Sequence, residues 1–289
     1  MSDMPQVKFV AVLGAGTMGR GIAQVAARAG YRVALQDVEQ PAVDAGLEGI
    51  RATLGDGVER GKVSAQERDA ALENIATTTN MAEAVETADL VIEAVFESME
   101  VKKALFRQVD EVAPPAAVLA TNTSSLSVTE IGAATRRPEQ VVGMHFFNPV
   151  HVMQLVEVVK GERTGAAAVA LARHVAEAMG KQTIVVRDSP GFATSRLGIA
   201  LGNEAMRMVE AGVAAPEDID LAMELGYRHP MGPLRLSDLV GLDVRLAITE
   251  HLYRELGGEQ FRPPQILRRM VRAGKLGKKA GEGFYKWKE

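Results

Sequence analysis

The chain has 289 residues, of which 47% are hydrophobic and 24% charged, with a net charge of −4 and no cysteine. These proportions are ordinary for a globular protein of one or two domains, and the lack of cysteine excludes disulfides, thiolate catalysis and cysteine metal sites. The weakly negative charge, without a long basic run, argues against a general nucleic-acid surface, and no spacing of metal ligands is visible.

The first residues, MSDMPQVKFVAVLGAG, lack the basic segment and long apolar core of a signal peptide. No apolar run approaches the length needed to cross a bilayer. A reducing compartment also suits a chain without cysteine. We therefore expect a cytoplasmic protein that binds neither a membrane nor nucleic acid.

Short apolar runs alternate with longer amphipathic runs in the first part of the chain. The predicted strands are Val7–Leu13, Tyr31–Gln36, Leu90–Val95, Ala117–Ala120, Val141–Phe146, Leu155–Val159 and Thr183–Val186. The predicted helices are Met18–Ala29, Val43–Arg60, Val101–Val112 and Ala166–Met179. Strands that alternate with helices are typical of βαβ units, so we predict an α/β domain with a mostly parallel sheet.

The pattern changes at the turn cluster Asp188-Ser189-Pro190-Gly191, and no strong strand pattern follows it before the extreme end. The helices predicted beyond this cluster are Phe192–Ala211, Pro216–Leu225, Val240–Leu256 and Pro264–Ala273. We therefore place the domain boundary near Ser189, with an α/β domain at 1–188 and an all-helical domain at 189–289.

A glycine-rich motif follows the first predicted strand and opens the first predicted helix. Its residues are Gly14, Ala15, Gly16, Thr17, Met18 and Gly19, which match G-x-G-x-x-G. The glycines allow a tight turn and a close approach of pyrophosphate to the backbone, and the helix N-terminus stabilises the anion. In this context of strand, turn and helix the motif predicts a dinucleotide site.

Asp37 ends the second predicted strand, where a carboxylate binds the adenosine ribose hydroxyls and repels a 2′-phosphate. No arginine follows it directly, so the sequence favours NAD over NADP as the cofactor.

A histidine and a carboxylate suggest a general base. His145 closes a predicted strand, and Glu157 lies between valines in the next one, where an unpaired charge would be costly. A carboxylate beside a histidine fixes its tautomer and stabilises the imidazolium, as alcohol oxidation requires. The spacing leaves two other interpretations open: a hydrogen-bonded core histidine, and a Glu157 that turns outward.

Five segments together resemble the 3-hydroxyacyl-CoA dehydrogenase family in order and spacing: GAGTMGRGIA, NTSSL, MHFFNPVHVMQLVEVV, DSPGF and HPMGPLRLSDLVGLD. In length the chain is similar to the stand-alone bacterial 3-hydroxybutyryl-CoA dehydrogenases. The resemblance implies a Rossmann-like, doubly wound domain followed by a helical domain that forms a homodimer. It also implies NAD-dependent oxidation of an L-3-hydroxyacyl-CoA substrate to 3-oxoacyl-CoA.

The resemblance also assigns roles to particular residues. It implies that His145 is the catalytic histidine and Glu157 its carboxylate partner, and that Ser124 lies near the substrate hydroxyl. Asn148 is the asparagine of the HFFNP segment. Positions near the nicotinamide and its ribose correspond to Glu97, Lys102 and Asn122.

One position departs from the family pattern. Many relatives read PGF-x-x-Asn-Arg where this chain has Ser195 before Arg196, so a hydroxyl replaces an amide that faces the substrate. This change leaves the acyl-chain preference open.

Basic residues should border the site of a ligand with phosphates, and we name Arg51, Arg60 and Lys62 as possible contacts of coenzyme A. A solvated helix face is the simpler explanation of these three side chains. Two other functions remain open: a dehydrogenase of a free hydroxy acid such as L-gulonate, and an NAD-binding protein without turnover.

Overall fold

The computed structural model describes residues 7–287. The expectation that no signal peptide is present rests in part on the first six residues, which lie outside that range. Eight strands are found among the described residues: β1 Phe9–Leu13, β2 Arg32–Gln36, β3 Ile75–Thr78, β4 Leu90–Glu93, β5 Val118–Thr121, β6 Val141–Phe146, β7 Leu155–Lys160 and β8 Gln182–Arg187.

Twelve α-helices are found over the same described range. They are α1 Thr17–Arg28, α2 Gln40–Glu59, α3 Ala65–Glu73, α4 Met81–Val85, α5 Met99–Val112, α6 Val128–Ala133, α7 Ala166–Ala178, α8 Thr194–Glu210, α9 Pro216–Gly226, α10 Pro233–Val240, α11 Leu242–Leu256 and α12 Gln265–Arg272. Within residues 7–287, every helix is too short or too polar to cross a bilayer.

The eight strands form one sheet in the order β3-β2-β1-β4-β5-β6-β7-β8. All neighbouring strands are parallel except β6 and β7. The order reverses between β1 and β4, and a crevice opens at the carboxyl ends of the strands at such a point. The prediction of an α/β, doubly wound, mostly parallel sheet is confirmed.

Burial explains why the central strands form where they do. Residues 10–13 of β1 and 90–93 of β4 are buried throughout, because helices cover both faces of the sheet. The core continues onto one face of α1, where Ile22, Ala23 and Ala26 are fully buried. This packing sets the start of α1 directly above the turn after β1.

The chain divides into two compact units between Ser189 and Pro190. The C-terminal unit is helical, and its core contains Met206, Ile219, Leu234, Leu242 and Leu267. Phe284 and Tyr285 of the closing segment pack against this core. Only isolated β-bridges, at Gly277, Glu282 and Lys286, interrupt the helical pattern in the part of this unit that is described.

The structure differs from the sequence predictions in three instructive places. The predicted helix Val240–Leu256 is two helices, because Gly241 has a φ of 99° that ends α10 and starts α11. The strand β3 was missed, since its four residues carry one large apolar side chain and it lies at the sheet edge. The helix before it, α3, was also missed, although Ser64 and Glu67 form a capping box.

Candidate active site

The turn between β1 and α1 requires glycine for two different reasons. Gly14 has a φ of 101°, and a Cβ there would lie 2.6 Å from the backbone oxygen of Ala94. A Cβ on Gly19 would overlap the backbone oxygen of Gly14. A Cβ on Gly16, in contrast, would meet no described atom within 4 Å. Packing therefore explains Gly14 and Gly19, whereas no described neighbour requires glycine at Gly16.

The first turn of α1 begins with Thr17 and Met18, and Gly16 before them has no side chain that could cap the helix. The first N–H groups of a helix lack intrahelical acceptors and carry the positive end of its dipole. A pyrophosphate is the kind of anionic group that such a helix end favours.

Asp37 follows β2 at the same edge of the sheet. Its carboxylate accepts hydrogen bonds from the backbone N–H groups of Ala15 and Val38, both at 2.8 Å. These bonds hold the carboxylate beside the glycine turn.

The turn and Asp37 border a cavity of about 680 Å³. Its lining is mostly apolar and consists of Gly14, Gly16, Gln36, Asp37, Val38, Met81, Ala94, Val95, Phe96, Val101, Ala104, Leu105 and Gln108. Cavities of this size hold nucleotide-sized ligands. The glycine turn, the carboxylate and the cavity together fit the adenosine and pyrophosphate of NAD.

A buried charge network lies where β4 ends. The Nζ atom of Lys102 is 2.5 Å from Oε1 of Glu93 and 3.2 Å from Oε2 of Glu97. Lys102 and Glu93 are each only 1% exposed, and Thr121 at the end of β5 donates to Glu93 at 2.6 Å. Lys102 therefore does not present its ammonium group to solvent but fixes the position of Glu97.

Glu97 in turn holds the segment that contains Ser124. Its Oε1 accepts hydrogen bonds from the Thr123 hydroxyl at 2.6 Å and from the Ser124 N–H at 2.9 Å. Burial raises the pKa of Glu97, but the Lys102 charge and the bonds from Thr123 and Ser124 outweigh it and hold that pKa below its usual range. Glu97 is therefore a carboxylate at neutral pH.

His145 and Glu157 stand directly opposite each other in the antiparallel pair of β6 and β7. Directly opposite residues share one face of a sheet, and Nδ1 of His145 lies 2.7 Å from Oε2 of Glu157. Glu157 is fully buried, and 9% of the His145 side chain is exposed. A carboxylate only accepts hydrogen bonds, so Nδ1 is the donor of this contact when Glu157 is ionised.

Two asparagines of the predicted site have different surroundings. Asn122 is half-buried after β5, and its Oδ1 accepts the N–H of Phe146 at 2.8 Å. This bond ties the end of β5 to β6 beside His145. Asn148 lies in the exposed bend after β6, and the ring of Phe147 before it packs 4.4 Å from the His145 ring.

Ser195 belongs to the C-terminal unit, where it is half-buried in the first turn of α8. The three basic side chains predicted to contact coenzyme A, those of Arg51, Arg60 and Lys62, are exposed. Arg51 pairs weakly with Glu48 at 3.6 Å. An exposed pair of this kind is typical of a helix face in contact with solvent, the simpler explanation given above for these side chains.

Sequence reasoning missed three members of the network, Glu93, Thr121 and Thr123. A signal for Glu93 was present, because a carboxylate that ends a run of buried apolar residues needs a partner. Thr123 gave no such signal, since a hydroxyl in a polar segment is compatible with many roles.

Comparison with known proteins places both units in one family. Residues 9–189 match the NAD-binding domain of 3-hydroxyacyl-CoA dehydrogenase, and residues 191–287 match the C-terminal domain of the same family. A probable 3-hydroxybutyryl-CoA dehydrogenase from Bacillus subtilis (strain 168) is 46% identical over 284 residues, which cover 98% of this chain and 99% of the relative.

Two further comparisons agree. The crystal structure of (S)-3-hydroxybutyryl-CoA dehydrogenase PaaH1 from Ralstonia eutropha is 38% identical with a TM-score of 0.95, covering 98% of this chain and 100% of that one. A 3-hydroxyadipyl-CoA dehydrogenase from Escherichia coli (strain K12) is 45% identical over 99% of this chain and 60% of its own length. The glycine turn, the helical second unit and these matches show that this chain belongs to the 3-hydroxyacyl-CoA dehydrogenase family and that its cofactor is NAD.

Proposed function

We propose that this dehydrogenase oxidises L-3-hydroxybutyryl-CoA and related short L-3-hydroxyacyl-CoA substrates to their 3-oxoacyl-CoA products. The contact between His145 and Glu157 is the observation that carries the proposal. Two relatives that match nearly the full length are named for this substrate.

NAD, when bound, would supply the acceptor for the hydride of substrate C3, and this chain supplies the groups that would bind and orient it. Gly14 and Gly16 would admit the pyrophosphate, and Asp37 would bind the ribose hydroxyls of adenosine. Glu97, held by Lys102, would lie near the nicotinamide side.

In this mechanism His145 takes the proton from the 3-hydroxyl group through Nε2. Glu157 keeps the proton of Nδ1 in place and stabilises the positive charge that forms on the ring. The Ser124 segment, positioned by Glu97, would orient the same hydroxyl group. We also propose that Asn148 and Ser195 contact the substrate, as the family resemblance implies.

The names of the relatives leave the far end of the acyl chain open. A butyryl chain ends in a methyl group, whereas an adipyl chain ends in a carboxylate.

We also propose that the protein acts as a homodimer formed through its C-terminal unit, in the cytoplasm.

The decisive test measures NADH formation from L-3-hydroxybutyryl-CoA, from longer L-3-hydroxyacyl-CoA substrates and from free hydroxy acids such as L-gulonate. We expect turnover of the thioesters and none of the free acids. Oxidation of the free acids without the thioesters, or NAD binding without turnover of any substrate, would overturn the proposal.

A further inference from the structure

A buried cation of the C-terminal unit has no anionic partner. Arg245, in the first turns of α11, is only 7% exposed. No carboxylate of the described residues lies within 4.0 Å of its guanidinium, in contrast to Lys102, which contacts two. Burial lowers the pKa of Arg245 to about 10, which still leaves it charged at neutral pH.

The contacts of Arg245 are neutral and incomplete. Its Nε and Nη2 atoms donate to the Ser237 hydroxyl at 3.2 and 3.0 Å, and Nη2 also donates to the backbone oxygen of Gly198 at 3.1 Å. Ser237 is fully buried and donates its own proton to the backbone oxygen of Pro233. Nη1 donates to no described residue, so its two N–H groups, of the five in the guanidinium, have no acceptor there.

Two glycines of α8 shape the space around this guanidinium. A Cβ on Gly202 would overlap Nη2, so only glycine lets the guanidinium lie against the helix. A Cβ on Gly198 would have Nη1, at 3.8 Å, as its only described neighbour within 4 Å. The unpartnered end of Arg245 therefore faces open space above Gly198.

This space lies one turn along α8 from Ser195, on the same face of the helix. Three residues of helix rise about 4.5 Å, which is the length of a few carbon–carbon bonds. Consider an acyl chain whose oxidised carbon lies near Ser195. A group that follows this carbon by a few further carbons would then reach Nη1.

We propose that Arg245 is a specificity-determining residue that binds a carboxylate at the far end of the acyl chain, so that the preferred substrates are dicarboxylic L-3-hydroxyacyl-CoA thioesters. This inference rests on the proposed function and deepens it. A carboxylate would accept hydrogen bonds from the two N–H groups of Nη1. It would also neutralise a buried charge that otherwise has only neutral partners.

The test compares two substrates with six-carbon acyl chains, L-3-hydroxyadipyl-CoA and L-3-hydroxyhexanoyl-CoA, which differ in the terminal carboxylate. The readout is the ratio of their kcat/KM values, because a general loss of activity cancels in it. We expect the parent to favour the adipyl substrate and Arg245→Gln to lower the ratio by roughly 30-fold or more, as for a buried charge pair.

Arg254→Gln is the matched control, because Arg254 lies on the same helix, with 71% of its side chain exposed, and pairs with Glu255 only at 3.6 Å. It should leave the ratio unchanged. Gly198→Ala is a second variant in case Arg245→Gln does not fold. Its methyl group fits at ordinary contact distance but occupies the space beside Nη1, so it should also lower the ratio.

Two results would overturn the inference. One is a parent that favours the hexanoyl substrate, and the other is an Arg245→Gln variant with the parent's ratio. If that variant is also monomeric by light scattering, the carboxylate that Arg245 binds comes from a second copy of the chain. A parent inactive on every acyl-CoA would refute the proposed function itself.

Discussion

The proposed site in the α/β unit and the core of the helical unit surround buried carboxylates differently. In the site, buried carboxylates contact charges or ionisable groups of opposite sign, as in Glu93 with Lys102 and Glu157 with His145. In the helical unit, Asp220 and Asp238 are buried, but their hydrogen-bond partners are backbone N–H groups and aromatic side chains.

This difference follows from what each charge does. A catalytic histidine must gain and lose a proton, and a charged partner beside it stabilises one of the two states. Asp238 instead accepts the N–H groups of Phe284 and Tyr285 and the indole N–H of Trp287, and so fixes the closing segment of the chain. We therefore attribute the paired carboxylates Glu93 and Glu157 to the proposed site, and Asp238 to the packing of the closing segment.

The largest expected effect tests the catalytic pair. We expect His145→Gln to lower kcat by roughly 10²- to 10⁴-fold, the range of a general base, with NAD affinity nearly unchanged. Glu157→Gln should also be strongly impaired, and the double variant should lose much less than the product of both effects. Steady-state NADH formation and NAD titration measure this, with the exposed His174→Gln as control. Fully multiplicative losses would show that the two residues act separately.

The second prediction tests the architectural carboxylate. Asp238→Asn leaves three donors facing an amide, so we expect the free energy of unfolding to fall by about 2–3 kcal/mol, the range of a hydrogen bond to a charged group. Urea unfolding followed by tryptophan fluorescence reports on this directly, because Trp287 is the single tryptophan. Glu204→Gln, which breaks an exposed pair with Arg207, should cost at most about 1 kcal/mol. Equal effects of the two variants would remove the contrast between the units.

The third prediction concerns pH. Since the folded pKa of Glu97 is lowered, its contribution to stability is complete above its unfolded pKa and is lost as pH falls through the folded value. Lys102→Met removes the main charge that opposes burial, so the folded pKa rises and the loss begins at higher pH. The pH at which the free energy of unfolding falls on the acid side, measured by urea unfolding over a pH series, should therefore move to higher values. Lys103→Met, which breaks the neighbouring 3.0 Å pair with Glu130, should leave it in place.

The fourth prediction addresses cofactor choice. Asp37→Ser combined with Val38→Arg removes the carboxylate beside the ribose and adds a cation at a position that is 82% exposed. We expect NAD to bind on the order of tenfold more weakly, as for one lost charge-assisted hydrogen bond, and NADP to bind better. Isothermal titration with both nucleotides checks this. An unchanged ratio of affinities would mean that Asp37 does not face the ribose.

The smallest effect is expected in the helical unit at Ser195. Ser195→Ala removes one neutral hydroxyl, so kcat/KM should fall by roughly three- to tenfold without a change in NAD binding. Ser195→Asn should remain active, because related enzymes place that amide there, and it should shift the acyl-length preference. Measurements on short and medium 3-oxoacyl-CoA substrates distinguish these outcomes. If Ser195→Ala equals the parent on every length, Ser195 only supports α8.

The sequence alone determined the class of the fold and the family. The apolar patterns of strands and helices involve residues that are close in the sequence, and the glycine motif lies between its own strand and helix. Both signals can therefore be recognised from the sequence. The same holds for the turn cluster at Ser189. Where local signals were weak, as in the edge strand β3, or interrupted by one residue, as at Gly241, the prediction failed.

Only the tertiary structure decided which charges meet. His145 and Glu157 are twelve residues apart in sequence and face each other because of the register of β6 and β7, which spacing does not reveal. Lys102 appeared in the sequence as a residue near the cofactor, yet it is buried behind Glu97, where it also pairs with Glu93 of β4. Arg245 gave no signal in the sequence, because a charge becomes informative only when burial removes water and no partner replaces it.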